Sequence, residues 1–227
     1  MRQPEAERPP AMMEMKRAAA PLEAAAALFH ARCRRQKAAE TEKIRRKKEK
    51  RLSQEKQRRI RIAGIVRESI VDGPGLRFVV FTQGCPHRCP GCQNPQTHDF
   101  EGGQLVDISQ LVELMEKNPL LKGITFSGGE PFAQPEAMAA LAEEVKAHSW
   151  DLLIYSGYTF EQLMKMGETR PAVRRLLELG DVLVDGPYLE AQRSLELKFR
   201  GSRNQRVIDL PASLAAGKAV LSPVGEK

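Results

Sequence analysis

The sequence predicts an α/β protein, an open and incomplete (β/α) barrel or curved parallel sheet, preceded by a basic N-terminal extension. Three observations carry this. From residue 60 onward, apolar strand-like runs alternate with amphipathic helical ones, the pattern of parallel strands joined by right-handed crossovers. That region is about 165 residues long, short of the ~250 typical of a closed eightfold barrel. The first quarter of the chain differs sharply in composition from the rest.

Residues 1–59 carry 18 Lys/Arg against 8 Asp/Glu, a net of +10, which leaves 36 − 18 = 18 basic and 29 − 8 = 21 acidic residues, a net of −3, for residues 60–227. The overall charge of +7 and the pI near 9.4 therefore belong to the extension and say little for nucleic-acid binding by the main region. The extension includes KIRRKKEKR and lacks the large apolar side chains of a core, so it reads as a solvated helix or a disordered arm. Residues 1–59 and 60–227 are thus taken as separate regions. Cys33, in the arm, is taken as an incidental surface thiol. No run of about 18 apolar residues exists to span a membrane. The short AAAALF stretch, approached through Glu23, is no secretory signal. Four cysteines that are not spread as a disulfide framework point to a reducing, cytoplasmic setting.

The elements follow in order. RFVVFTQG (77–84) is an apolar run ending in glycine, a buried strand. DISQLVELMEK (107–117) places Ile108, Leu111, Val112 and Met115 at helical spacing, with Asp107 as cap and Gln110 completing a capping-box-like start. GITFSGG (123–129) is a second strand. PEAMAALAEEVKAH (135–148) is a helix with Pro135 in its first turn and Met138, Leu141, Ala142 and Val145 on one face. LLIYSG (152–157) is a third strand. Thr159 and Gln162 then open a short helix, and AVRRLLELG (172–180) adds another that ends at glycine. VLVDG (182–186) is a fourth strand, and RGSRNQRVIDL (200–210) holds a last one.

The carboxyl ends of these strands lead into GCPHRCPGC, SGGEP, SGY and DGPY, and sites in α/β sheets and barrels gather in such loops. Cys85, Cys89 and Cys92 form a C-x3-C-x2-C cluster in the first of them. Two chemistries suit it. A structural zinc wants four ligands, so His87 or His98 would have to complete a Cys3His set, and with the basic arm this would make a zinc-stabilised nucleic-acid-binding module. An iron–sulfur cluster held by three thiolates keeps one iron open, as catalysis requires. Pro86, Pro90 and Gly91 supply the tight turns between the thiols. His87 reads as an exposed loop residue between Pro86 and Arg88, and His98 receives no role. Asp72, in VDGPG, reads as a turn residue, and Tyr158, Asp185 and Arg200 as structural.

C-x3-C-x2-C after one strand and SGGEP after the next resemble the radical S-adenosylmethionine (SAM) superfamily. The stretch ESIVDGPGLRFVVFTQGCPHRCPGCQNPQTHDF (68–100) is similar to the small activating enzymes of glycyl radical enzymes. Within them, CPGC, IYSGYTFEQL, LVDGPYLEAQ and FRGSRNQRVIDL are similar to the activators of anaerobic ribonucleoside-triphosphate reductase rather than to those of pyruvate formate-lyase, the alternative partner. The resemblance covers the chain after the arm. It implies a 4Fe-4S cluster ligated by Cys85, Cys89 and Cys92, with SAM chelating the open iron. It also implies SAM contacts at Gly91, Cys92 and Gln93, and a methionyl amino site at Gly129, where Gly128 and Gly129 permit close approach and Glu130 adds a negative charge. Cleavage of SAM would yield a 5′-deoxyadenosyl radical that takes a hydrogen from a glycine of the reductase. Reduced flavodoxin, or a similar acidic electron donor, would be a second partner, and the basic arm suits its docking.

Overall fold

A computed structural model describes Glu42, Arg45 and residues 58–225. The rest of the extension expected over residues 1–59, with Cys33, lies outside the described residues. Glu42 and Arg45 are helical and form an exposed ion pair at 3.0 Å.

The compact unit that spans Gln54–Lys227 is built on one seven-stranded sheet. Its strands are β1 (Arg59–Ser69), β2 (Arg77–Thr82), β3 (Gln104–Asp107), β4 (Gly123–Gly128), β5 (Asp151–Tyr155), β6 (Val182–Asp185) and β7 (Arg206–Asp209). Their spatial order is β3-β1-β2-β4-β5-β6-β7. Strands β2, β4, β5 and β6 are parallel neighbours in chain order, as the alternation of elements requires. The outer strands depart from the all-parallel expectation. Strand β1 is antiparallel to both β2 and β3, and β7 is antiparallel to β6. Both sides of the parallel block are therefore extended by antiparallel strands, β1 joined to β2 through residues 70–76 and β7 to β6 through the longer segment 186–205.

The helices are α1 (Ile108–Glu116), α2 (Pro135–Ala147), α3 (Phe160–Thr169), α4 (Pro171–Leu179) and α5 (Leu210–Ala216). Right-handed crossovers that all step the same way along the sheet put their helices on one face. The core reflects this. Phe78 and Val80 of β2, Ile124 and Phe126 of β4, Leu152 and Ile154 of β5, Leu183 and Ile208 pack in one cluster with Leu111, Met138, Leu141 and Leu176 of the helices. Each large side chain buried there contributes roughly 1.5–3 kcal/mol. The alternate residues face the other way. Only a small cluster of Leu153, Val184 and Val207 covers part of that second face. The site lies on the remainder.

Caps match the sequence unevenly. Thr159 and Gln162 form the expected capping box on α3. Asp107 stands at the N-cap of α1 but makes no side-chain cap bond, so the box expected with Gln110 does not form. The Asp107 Oδ1 lies instead 3.4 Å from Arg59 Nε on the paired strand. Among the described residues, no helix is long and apolar enough to cross a membrane.

Candidate functional site

Strand β2 ends at buried Thr82 and Gln83, and the cysteine loop starts there. Gln83 closes the loop's base, its Nε2 donating to the carbonyls of Gln96 (3.1 Å) and Asp99 (2.6 Å). The backbone adds Gly84 N–H to Thr97 O (2.8 Å) and Cys85 N–H to His98 O (3.2 Å). Within the loop, Arg88 and Gly91 take left-handed conformations (φ 46° and 69°), which turn the chain between the thiols. Cys92 N–H donates to Cys89 O at 3.1 Å, and Asn94 N–H donates to the Cys92 sulfur at 3.4 Å. N–H donors to sulfur of this kind are among the features that tune an iron–sulfur centre.

The glycine pair that ends β4 packs directly on this loop. Gly129 N–H donates to Thr82 O (2.8 Å) and Glu130 N–H to Gly84 O (2.9 Å). A Cβ on Gly129 would stand 2.5 Å from the Gly84 oxygen, so only glycine allows the two strand ends to approach this closely.

Glu130 has a different role from the one expected of its charge. Its side chain is fully buried and already engaged. Oε1 accepts from Phe132 N–H (3.0 Å) and Ser156 Oγ (3.0 Å), while Oε2 accepts from Gly157 N–H (2.9 Å) and meets His87 Nε2 at 2.8 Å. The carboxylate fastens three strand-end loops together. His87 is accordingly not the exposed loop residue expected. Its side chain is only 16% accessible, tied to Glu130 and set edge-on against Tyr158 with ring centroids 4.4 Å apart. His98 contributes its carbonyl to Cys85, and its buried Nε2 has no partner.

These loops open on a cavity of about 960 Å³ on the helix-free face of the sheet. Cys85, Cys89, Cys92, Gln93 and Gly129 line it, together with Phe81, Ser127 and Tyr155 of the sheet. Gly91 does not line it and lies exposed, with the Glu190 carboxyl where a Cβ would project. Asp72 is a wall residue as well as a turn residue, its Oδ2 accepting from Ser69 Oγ at 2.5 Å. Ile70 and Val71 line the cavity while 75% and 73% exposed, an apolar edge with no strand or helix over it. Asp185 is structural, accepting from Phe160 N–H (2.7 Å) and from Arg206. Residues 200–205 of the stretch expected to hold the last strand form cavity wall instead, the strand being confined to Arg206–Asp209, and no regular period marked the wall residues before them.

Burial pushes the Cys85 thiol up from its usual range, partly offset by the His87 and Arg88 N–H groups, while Glu130 pushes the same way as burial. Burial, then the charge of Asp72, also raises the Tyr155 phenol, which stays a neutral wall. A thiol raised in this way is a poorer free nucleophile, whereas a metal bound at the sulfur would displace its proton. A mononuclear zinc would need a fourth ligand beside the three thiols, and His87 Nε2, one candidate for it, lies 2.8 Å from the Glu130 carboxylate. A 4Fe-4S cluster takes one thiolate on each of three irons. Three soft sulfur donors on one roomy cavity fit the cluster.

Residues 71–208 match the family model described as a 4Fe-4S single cluster domain. An anaerobic ribonucleoside-triphosphate reductase-activating protein from Enterobacteria phage T4 is 34% identical over 145 residues, 60% of this chain and 86% of the relative. Proteins of the same name from Vibrio cholerae (33% identical, 60% of this chain and 89% of the relative) and Escherichia coli K12 (32%, 61% and 91%) are similar to the same extent. Among solved structures, QueE from Escherichia coli matches 44% of this chain and 54% of its own at 12% identity and a TM-score of 0.36, too slight a likeness to bear on fold or chemistry.

Proposed function

The chain belongs to the 4Fe-4S single cluster domain family and, within it, to the anaerobic ribonucleoside-triphosphate reductase-activating proteins, and from that membership we propose that this enzyme generates a glycyl radical on an anaerobic ribonucleoside-triphosphate reductase. Cys85, Cys89 and Cys92 hold a 4Fe-4S cluster, and SAM binds beside it against Cys92, Gln93 and Gly129, with Gly91 holding the turn between the second and third ligands. The observation that carries the reading is the shared cavity: three thiols, the residue after the third, and the close-packed glycine of the next strand end all line it.

When bound, the cluster and SAM supply the one-electron chemistry that removes a hydrogen atom from the partner's glycine. The chain's own residues do the rest. Glu130 and His87 keep the cysteine loop in register with the Gly128–Gly129 turn. Gly129 lets the cysteine loop close onto the end of β4. Phe81 and Tyr155 give the cavity an apolar lining that keeps water from a reactive centre. Neither a proton-transfer pair nor a nucleophile is required.

We further infer that the sheet forms the wall of an open, incomplete barrel. Parallel strands with helices on one face and a cavity on the other support this, and an unclosed wall leaves an entrance for a partner's peptide loop. Residues 1–59 are a separate basic extension and residues 60–227 the catalytic domain, the extension suiting an acidic electron donor such as reduced flavodoxin. A cytoplasmic location accords with cysteines that are all free among the described residues.

Incubating the reconstituted protein with SAM, a reductant and the purified reductase tests the proposal. It predicts 5′-deoxyadenosine release and a glycyl radical signal on the reductase. The same signals with pyruvate formate-lyase and none with the reductase would move the activity to the alternative partner.

A further inference from the structure

Exposed apolar side chains are scattered singly over most protein surfaces and need no explanation there. Here the most exposed ones are not scattered. Among the described residues, the four most exposed large apolar side chains are Leu195 (88%), Leu120 (76%), Ile70 (75%) and Val71 (73%). Leu195, Ile70 and Val71 line the same cavity as the cysteines, and Leu120 does not.

The two segments that carry them are anchored. Ile70 and Val71 follow the last pair of β1 with β2, Ser69 opposite Arg77, and Val71 N–H donates to Ser69 Oγ at 3.3 Å. The carbonyl of the next residue, Asp72, accepts from Thr125 Oγ1 of β4 at 2.8 Å. Leu195 stands in the connection between β6 and β7, in a loop closed by the antiparallel bridge of Arg193 with Ser202. Ser202 is fully buried, and its Oγ accepts from Leu189 N–H at 3.2 Å. Both segments thus hold apolar side chains out to water from a fixed backbone.

Their exposure decides what can cover them. A small ligand seated among the thiols lies inside the cavity and leaves the rim side chains facing water. A chain that crosses the rim on its way in buries them. The proposed reaction brings such a chain, because hydrogen abstraction needs contact, and the reductase's glycine enters with the residues on either side of it. Exposed Arg193 and Lys198 line the same cavity and give the apolar side chains a polar border, the make-up of a protein–protein contact.

We propose that Ile70, Val71 and Leu195 dock the reductase by burying large apolar side chains that flank its glycine. The inference rests on the proposed function, and it assigns the mouth of that site its selectivity. No bond forms or breaks at the rim; the three side chains set how tightly the incoming segment is held.

The test measures activation of the purified reductase by the reconstituted full chain and by its Ile70→Ser, Leu195→Ser and Leu120→Ser variants. Melting curves of the unloaded proteins check that all four fold alike. The KM for the reductase should rise roughly tenfold for Ile70→Ser and for Leu195→Ser, the loss of one large buried side chain, with a smaller change in kcat. Leu120→Ser should keep the wild-type KM. A synthetic peptide spanning the reductase's glycine supplies a second measurement, made on the wild-type protein. It should compete with the reductase, and replacing its large apolar residues by serine should weaken the competition by a similar factor. Ile70→Ser and Leu195→Ser that match Leu120→Ser, together with two peptides that compete equally, overturn the inference and leave the proposed function standing. So does an unchanged KM in variants that lose a self-association seen by gel filtration, since a second copy of the chain then covers the rim. A wild-type protein that puts no radical on the reductase overturns both.

Discussion

The Nε2 of His87, between the first two cysteines, lies 2.8 Å from Oε2 of Glu130, a fully buried carboxylate 43 residues further along the chain. A carboxylate only accepts, so the imidazole Nε2 carries the proton in this pairing. The bond ties the cysteine loop to the loop after β4, and Glu130 passes the tie on to Ser156 and Gly157 after β5.

Glu130→Gln is therefore not conservative. Either placement of the amide nitrogen sets an N–H donor against a backbone N–H, of Phe132 on one side or Gly157 on the other. We expect a loss of about 1–3 kcal/mol, the usual cost of a buried donor or acceptor left unmade. Urea midpoints of the metal-free protein measure it. His87→Ala, by the same reasoning, lowers stability less than Glu130→Ala, which strips acceptors from several donors at once.

Gly129→Ala tests the close approach of the two strand ends. The added methyl would meet backbone oxygens of Gly84 (2.5 Å) and Thr82 (3.0 Å), neither of which can rotate away. A destabilisation of about 1–3 kcal/mol is expected, as for other overpacked sites. Gly64→Ala is the control, since nothing lies within 4 Å of its Cβ position. A denaturation midpoint for Gly129→Ala equal to that of Gly64→Ala would contradict the packing described.

Replacing the cysteines one at a time with serine separates ligands from bystanders. Cys85→Ser, Cys89→Ser and Cys92→Ser each lose most of the iron and sulfide retained after anaerobic reconstitution. Cys33→Ser retains both at the wild-type level. Iron and sulfide analysis after gel filtration decides the matter, and a Cys33→Ser protein that loses its iron would make the arm part of the centre.

Acid stability has one identifiable contributor outside the site. Hydrogen bonds from Arg206 hold the Glu161 carboxyl down at about 2, against a smaller upward push from burial and an ordinary value of 4.5. A depressed folded-state value contributes stability above pH 4.5 that is lost as the pH falls towards 2. The Glu161 side chain is 57% exposed, so screening limits the contribution to less than about 1 kcal/mol. Glu161→Gln should lower the urea midpoint at pH 6, and the gap to wild type should close by about pH 2. A gap that widened in acid would contradict the assignment.

The helix-covered half of the fold was legible because its strands are apolar runs that end at glycine, and its helices repeat large residues on one face, as Met138, Leu141 and Val145 do. Strand β1 escaped notice because RIRIAGIVRES interleaves arginines with its isoleucines, which hides an element whose inward residues, Ile60 and Ile62, are fully buried. Strand β3 is four residues long and runs straight into a helix, too short for a period to appear. The antiparallel direction of β3 depends on pairing with β1, distant in sequence, which local pattern does not encode. The same holds at the site. The thiols and the glycine pair announce themselves by spacing. The burial of His87 depends on Glu130, and the wall that carries Arg200 depends on Gln205, and neither relationship has a local signature.

The most direct test is electron paramagnetic resonance of the anaerobically reconstituted, dithionite-reduced protein, recorded with and without SAM. A 4Fe-4S cluster held by three cysteines has an iron that the cofactor can reach, and its spectrum should change on addition of SAM. A reduced cluster whose spectrum is the same in both samples, or a protein that takes up one zinc and no sulfide, would contradict the account.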